Sequence, residues 1–271
     1  MMTPSRLGQN FLVDMGATDR IVSALGDIAG QTVVEIGPGR GAITGTLAAR
    51  AGHVLAVELD RELAARLREK FSADRVTVVE QDVLDFDFAA AAAKNEAAPA
   101  RGRLRVAGNL PYYITSPILL KLAASHAALD LAVLMVQREV ADRVAAAPGS
   151  RDYGLLSVTV QMYGSVERLF TLPPAAFAPP PEVHSSVFRW RFAPRFAELG
   201  VEEAGFLRFV RSAFAQKRKT LANNLRAAGI SSVTTTAALA AASVPTAARA
   251  ESLSLETFAA LWRFLRPESP N

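Results

Sequence analysis

The chain has 271 residues, half of them hydrophobic, enough to bury a full core as one large domain or as a large and a small one. It has no cysteine, which excludes a disulfide framework and a thiolate metal site, and its three histidines (His53, His126, His184) are too widely spaced to suggest a zinc cluster, so no metal is expected. The net charge of +4 is modest and says little until its distribution along the chain is read.

The first residues, MMTPSRLGQNFLVD, lack the continuous apolar core of a signal peptide. The longest uncharged run, AAGISSVTTTAALAAASVPTAA (227–248), is rich in Ser and Thr and contains Pro245, so it does not qualify as a membrane span. A cytoplasmic protein without a membrane partner is expected.

Short apolar, β-branched runs follow in order: TVVEI (32–36), HVLAVEL (53–59), RVTVV (75–79), LRVA (104–107) and LAVLMV (131–136). Helix-period segments lie between several of them, at 61–71 and 117–124. Strands alternating with helices predict an α/β fold with a parallel, doubly wound sheet covered on both faces. The Ala-rich stretch 88–103 reads as a surface helix or loop without chemistry. Beyond Tyr153 come a helix over 154–163, a strand near 166–172, the proline block PPAAFAPPPEV and a strand over 186–192. From Glu198 the chain reads as helices only, which predicts domains over 1–197 and 198–271, and the terminal PESPN is expected to fray.

The segment EIGPGRGA (35–42) follows the first of these strands and opens a helix. Gly37, Gly39 and Ala42 satisfy the pattern G-x-G-x-x-G/A, and Glu58 stands 21 residues beyond Gly37, at a strand end where a carboxylate can accept from a ribose diol. That much fits NAD as well as S-adenosyl-L-methionine. Three features favour the latter in a Rossmann-like sheet. Glu35, inside the strand, suits a cationic, amino-acid-bearing cofactor better than a pyrophosphate. Gln81 and Asp82 end the next strand, where a carboxylate can accept from an adenine amine, although Asp82 alone would read as a turn or cap residue. The third feature is the stretch GNLPYYITSPIL (108–119) at the end of the fourth strand.

An adenine N6 amine is a poor nucleophile because its lone pair is delocalised into the ring. An enzyme that methylates it has to hold the amine hydrogens with acceptors, so that the lone pair points along the methyl–sulfur axis. Asn109 offers a side-chain carbonyl, Leu110 a backbone carbonyl, Pro111 fixes the chain, and Tyr112 can lie on the face of the base, a stack worth roughly 1 to 3 kcal/mol. The reaction is an in-line displacement that relies on positioning. A base inside a duplex cannot reach such a pocket, so the target is flipped out or single-stranded. The bland alternative for these four residues is a strand-ending turn stiffened by proline.

Between Ala204 and Ala250 no acidic residue occurs, while Arg208, Arg211, Lys217, Arg218, Lys219, Arg226 and Arg249 are basic. A block of one sign and this length suggests a polyanion. A solvated helix face is the default reading of most such runs.

Taken in order, GQNFL (8–12), EIGPGRGAIT (35–44), VELD (57–60), QD (81–82), NLPYYITSPIL (109–119), QREVADR, PGSRDYGLLSV, FAPPPEVHSSV, FAQKRKTLANNL (214–225) and RAESLSLETF give the chain a resemblance to a known family. Over nearly its whole length the sequence resembles the small-subunit ribosomal RNA adenine N6,N6-dimethyltransferases of the KsgA/Dim type. The resemblance implies dimethylation of two adjacent adenines in the 3′-terminal hairpin loop of small-subunit (16S) rRNA, a role in small-subunit assembly, and a monomer whose partner is the small ribosomal subunit and its rRNA. It implies that Asn10 and Leu12 cover the methionine end of the cofactor, that Gly37 and Gly39 line it, that Glu58 binds its ribose and Asp82 its adenine. Asn109 would meet both the target amine and the cofactor edge, and Phe177 would pack on the flipped base opposite Tyr112. The basic C-terminal domain, with Arg208, Arg211, Lys217, Arg218, Lys219 and Arg226, would be the RNA platform. PEVHSSV departs from the family's common PKVDSAV, so Glu182 and His184 stand where a lysine and an aspartate are usual, and charge arguments at that loop do not transfer. His53 and His126 read as structural or surface residues. The rivals are the related large-subunit rRNA methyltransferases, a non-catalytic nucleic-acid-binding or assembly factor on the same fold, and an NAD-dependent reductase.

Overall fold

The structure, a computed structural model, describes residues 10–94 and 102–266. The GQ of GQNFL, residues 95–101 of the Ala-rich stretch and the terminal PESPN lie outside the described residues. Within them the elements are β1 (Phe11–Leu12), α1 (Met15–Ser23), β2 (Thr32–Ile36), α2 (Ala42–Arg50), β3 (His53–Glu58), α3 (Arg61–Lys70), β4 (Val76–Glu80) and α4 (Phe88–Ala93). They continue with β5 (Leu104–Asn109), α5 (Thr115–Ala124), β6 (Leu129–Gln137), α6 (Arg138–Val144), α7 (Leu155–Met162), β7 (Gly164–Leu172), β8 (Phe177–Ala178) and β9 (Ser185–Phe192). Last come the helices α8 (Glu203–Ala213), α9 (Leu221–Ala227), α10 (Ser232–Ala241) and α11 (Leu255–Leu265).

Seven strands form one sheet in the order β4-β3-β2-β5-β6-β9-β7. The five strands expected from the apolar runs pair in parallel, from β4 through β6. β9 pairs antiparallel with β6, so the sheet is mixed rather than wholly parallel. Four consecutive residues of β2, Val33 to Ile36, are buried, as they must be where both faces of a sheet are covered. The chain runs outward from β2 through β3 to β4, then returns to the other side of β2 as β5. This reversal creates a switch point between β2 and β5, and a crevice outside their carboxyl ends is where such sheets receive ligands.

Two features of this region come from packing rather than local pattern. Residues 11 and 12 form an antiparallel pair with the proline block, Phe11 opposite Ala178 and Leu12 opposite Phe177. At the switch point Gly108 of β5 faces Ile36 of β2, and a Cβ on residue 108 would stand 2.8 Å from the Ile36 carbonyl oxygen, so only glycine lets the two strand ends approach this closely.

The chain divides into two compact units, one of residues 1–141 with Ser165–Phe192, the other of Asp142–Gly164 with residues 193–271. The single cut near residue 197 read from the sequence kept 142–164 with the sheet, whereas their contacts lie with the C-terminal helices. Tyr163 donates its hydroxyl to Glu203 Oε1 at 2.7 Å, and the Gly149 N–H donates to the Glu251 carbonyl at 2.7 Å. The core of this second unit is aromatic, with the rings of Tyr163 and Phe196 at 5.1 Å and of Phe209 and Trp262 at 5.8 Å.

Candidate active site

At the switch point a cavity is lined by Asn10 and, from β1, Phe11 and Leu12, by Glu35 and Ile36 of β2 and the turn Gly37 to Arg40 after it, by Glu58 of β3, by Gln81 and Asp82 just after β4, and by Asn109 at the end of β5 with Leu110 to Tyr113 beyond it. All the residues expected at the cofactor, and four of the five expected at the target base, therefore meet in one place. The exception is Phe177, which is buried beside Leu12 in the hydrophobic cluster and does not line the cavity.

The glycine turn owes its shape to three residues with left-handed backbone, Gly37, Gly39 and Gly41, at φ 63, 58 and 79°. Gly41, which the fingerprint had skipped, is the most constrained, because a Cβ there would stand 2.8 Å from the Phe71 ring. Glu58 closes the turn from β3. Its Oε2 accepts from the Gly39 N–H at 3.0 Å and its Oε1 from the Asp60 N–H at 2.9 Å. A carboxylate has about four acceptor positions, so each oxygen keeps one for a diol. Burial pushes the Glu58 carboxyl up against the lowering effect of these bonds. Asp82 does what a turn residue does, its Oδ1 accepting from the Leu84 N–H at 2.9 Å, and it lines the cavity as well.

Glu35 is the unusual group. It is buried at the cavity wall, and its Oε2 has no hydrogen-bond partner. Burial, with the neighbouring Glu58 carboxylate adding to it, pushes the Glu35 carboxyl up to about 8. Near neutral pH such a carboxyl is mostly protonated and neutral, and in its ionised form it favours a positive charge beside it. Two carboxyls, from β2 and β3, beside one glycine turn suit a ligand bearing a positive charge better than a pyrophosphate, so the residues present fit S-adenosylmethionine.

Each residue of the NLPY tetrapeptide is held by a separate bond. Asn109 donates Nδ2 to the Asn10 carbonyl at 3.0 Å, and since a carbonyl only accepts, this bond fixes the amide flip and leaves Oδ1 as the free acceptor arm. The Leu110 N–H donates to the Met135 carbonyl at 2.9 Å, and Thr115 Oγ1 donates to the Pro111 carbonyl at 3.0 Å. The Tyr112 hydroxyl lies 2.7 Å from Ser185 Oγ. The following ring, Tyr113, is exposed at the cavity edge.

Against this geometry the comparisons are specific. The family described as ribosomal RNA adenine dimethylase matches residues 3–266. The chain belongs to this family. Its relatives include the ribosomal RNA small subunit methyltransferase A of Acidobacterium capsulatum, 58% identical over 97% of this chain and 92% of that protein. A dimethyladenosine transferase structure from Plasmodium falciparum shares the fold, with a TM-score of 0.73 at 22% identity, covering 93% of this chain and 95% of the other. The structure of the 23S rRNA methyltransferase ErmE gives a TM-score of 0.70 at 27% identity over 94% of this chain and 99% of the other.

In this member of the rRNA adenine dimethylases, Arg208, Arg211, Lys217, Arg218, Lys219 and Arg226 are all exposed, on α8, on the turn after it and on α9. The Arg226 guanidinium is tied along its own helix to Asn223 Oδ1 at 2.7 Å. Of the paired asparagines beside this block, Asn224 is buried and donates to the carbonyls of Ala213 at 2.7 Å and Gln216 at 3.3 Å. It fastens the basic turn to the end of α8. No cluster of three or more His, Cys, Asp or Glu side chains placed to hold a metal ion occurs among the described residues. His53 meets the Asp74 carbonyl and Thr77 Oγ1, His126 meets the Ala123 carbonyl, and His184 and Glu182 are exposed on the loop before β9. No helix among the described residues is long and apolar enough to cross a membrane.

Proposed function

We propose that this chain transfers methyl groups from S-adenosyl-L-methionine to the N6 amines of two adjacent adenines in the 3′-terminal hairpin loop of small-subunit (16S) rRNA. It acts as a monomer on the assembling small subunit in the cytoplasm. The observation that carries this reading is the convergence, at one switch point, of Asn109, whose amide is oriented by the Asn10 carbonyl, and the buried Glu35 carboxyl with an unpartnered oxygen. Kinship at 58% identity with a protein named for the small subunit, against 27% with one named for 23S rRNA, supports the small subunit as the substrate.

The cofactor, when bound, supplies an electrophilic methyl on a sulfonium. The chain's own residues do the rest by placement. Asn10 and Leu12 cover the methionine end, Glu35 faces its positive charge, Gly37 and Gly39 allow close approach, Glu58 takes the ribose and Asp82 the adenine. Asn109 Oδ1 and the Leu110 carbonyl accept from the target amine, turning its nitrogen lone pair out of conjugation, and Tyr112 supports the base. No strong general base is needed, because the methylated nitrogen is acidic and loses its proton to water. For Phe177 to reach a base, β8 has to release it from the packing around Leu12, so its role belongs to the RNA-bound arrangement. The basic segment of α8, α9 and the turn between them contacts phosphate, as exposed charges of one sign do.

The test is transfer of labelled methyl to small subunits lacking the modification, with large subunits and an Asn109→Ala variant in parallel. N6,N6-dimethyladenine in small-subunit RNA, lost in the variant, is the expected result. Label in 23S rRNA instead would move the chain to the large-subunit group. Tight binding to small subunits with no transfer at any salt or magnesium concentration would make it an assembly factor.

A further inference from the structure

Three of the four NLPY anchors are bonds to or from the backbone. The fourth joins two side chains, from elements far apart in sequence. The Tyr112 hydroxyl sits 2.7 Å from Oγ of Ser185, which is fully buried, opens β9 and pairs with Gln137 of β6. The start of β9 is itself fixed, because the Arg138 N–H donates to the His184 carbonyl at 2.9 Å. The adjacent Ser186 hydroxyl serves another partner, Thr171 Oγ1 at 2.8 Å. Successive strand residues point to opposite faces, so of these two neighbouring serines only Ser185 is directed to the site.

We propose that Ser185 is a positioning residue for methyl transfer, one that fixes the plane-bearing end of Tyr112 so that its ring is already in place when a base arrives. The inference rests on the methyltransferase reading above. The Tyr112 ring is held at one end by the turn that follows Pro111, at φ −59°, and at the other by its hydroxyl. A ring held at both ends can spin about its long axis but cannot swing away from the cavity. Half-burial, which raises the Tyr112 phenol, means that the hydroxyl would be poorly solvated without Ser185. Fixing the ring in advance removes an ordering cost from the reactive complex, and that appears in turnover rather than in cofactor binding.

The experiment compares Ser185→Ala, Ser185→Thr, Tyr112→Phe and the double variant Ser185→Ala/Tyr112→Phe with the wild type, at a temperature where thermal melts show all of them folded. A neutral hydrogen bond of ordinary strength predicts a kcat about fivefold lower in Ser185→Ala. KM for small subunits and the Kd for S-adenosylmethionine should stay within about twofold, and Ser185→Thr should recover most of the rate. The double variant should be no slower than Tyr112→Phe alone, since both remove one bond. In parallel, 19F NMR of protein carrying 3-fluorotyrosine at its four tyrosines, assigned with Tyr112→Phe, should show the Tyr112 signal moved by Ser185→Ala and the other signals unmoved. Wild-type kcat in Ser185→Ala, a multiplicative double variant or an unmoved Tyr112 signal would overturn the proposal. If the wild type itself methylates nothing, the functional reading fails separately, and the NMR arm still decides whether Ser185 orders Tyr112.

Discussion

The two regions proposed to meet RNA in this protein are built on opposite principles. The NLPY loop is held by four bonds, from Asn10 just before β1 and from β6, α5 and β9. The basic segment of the helical unit presents exposed cations on α8, α9 and the turn between them, and its buried asparagine, Asn224, fastens backbone rather than ligand. Chemistry at one nitrogen needs atoms placed to within a fraction of an ångström. Attraction to a phosphate chain needs only charge at roughly the right distance, so it tolerates mobile side chains and adds up residue by residue.

The contrast is broken most severely at Asn109. Asn109→Ala removes the oriented acceptor, and methyl transfer is expected to fall by about 100-fold or more, the scale of losing one preorganised group at a reacting centre, while small-subunit binding stays near wild type in a filter-binding assay. A smaller effect belongs to Glu35. With its carboxyl at about 8, only about a tenth is ionised at pH 7, so S-adenosylmethionine should bind roughly tenfold more tightly at pH 9 than at pH 7. Calorimetry at pH 7 in buffers of different ionisation heat should detect release of close to one proton, and Glu35→Gln should abolish both the release and this part of the pH dependence. The same shift carries a stability sign. A carboxyl raised on folding stabilises fully below the ordinary carboxylate range, and that contribution is lost as pH rises through about 8. The ligand-free wild type should therefore lose stability relative to Glu35→Gln between about pH 4.5 and 8 in urea melts.

At the basic segment the expected effects are smaller per residue and additive. Replacing Lys217, Arg218 and Lys219 together by alanine should lower the slope of log affinity against log salt by about 2 to 3, each single change contributing about 0.7 to 0.9, with kcat at saturating subunits unchanged. A kcat that falls with the single changes would mean that this turn orients the substrate rather than attracts it. The smallest effect on binding is expected from Asn224→Ala. It should cost about 1 to 3 kcal/mol of stability in denaturant melts by leaving the Ala213 carbonyl without its donor, and leave the salt slope where it was.

Much of this was legible in the sequence because the relevant signals are local. Continuous apolar runs give buried parallel strands, and the strands at 32–36, 53–58 and 104–109 lie where the runs TVVEI, HVLAVEL and LRVA placed them, give or take two residues. A glycine turn must follow a strand to approach a ligand, and strand-ending polar residues such as Glu58, Asp82 and Asn109 fall at the carboxyl edge by counting. The order of segments then fixes a switch point, and with it the place of the cavity.

Other features were decided by the tertiary structure alone. Two-residue pairings such as Phe11 with Ala178 have too few residues to carry a period, and they join positions distant in sequence. The family resemblance implied that Phe177 packs on the target base, yet in this structure its pairing with Leu12 leaves it buried. Gly41 and Gly108 are needed because Phe71 and Ile36 stand against them, contacts that no window of neighbouring residues contains. The orientation of Asn109 depends on the carbonyl of Asn10, and that of Tyr112 on the hydroxyl of Ser185. The sequence determined which chemical groups reach the carboxyl edge of the sheet, because that depends on local period and order. Which way those groups face was left to long-range contacts, because a hydrogen bond has direction and its partner comes from wherever the fold brings it.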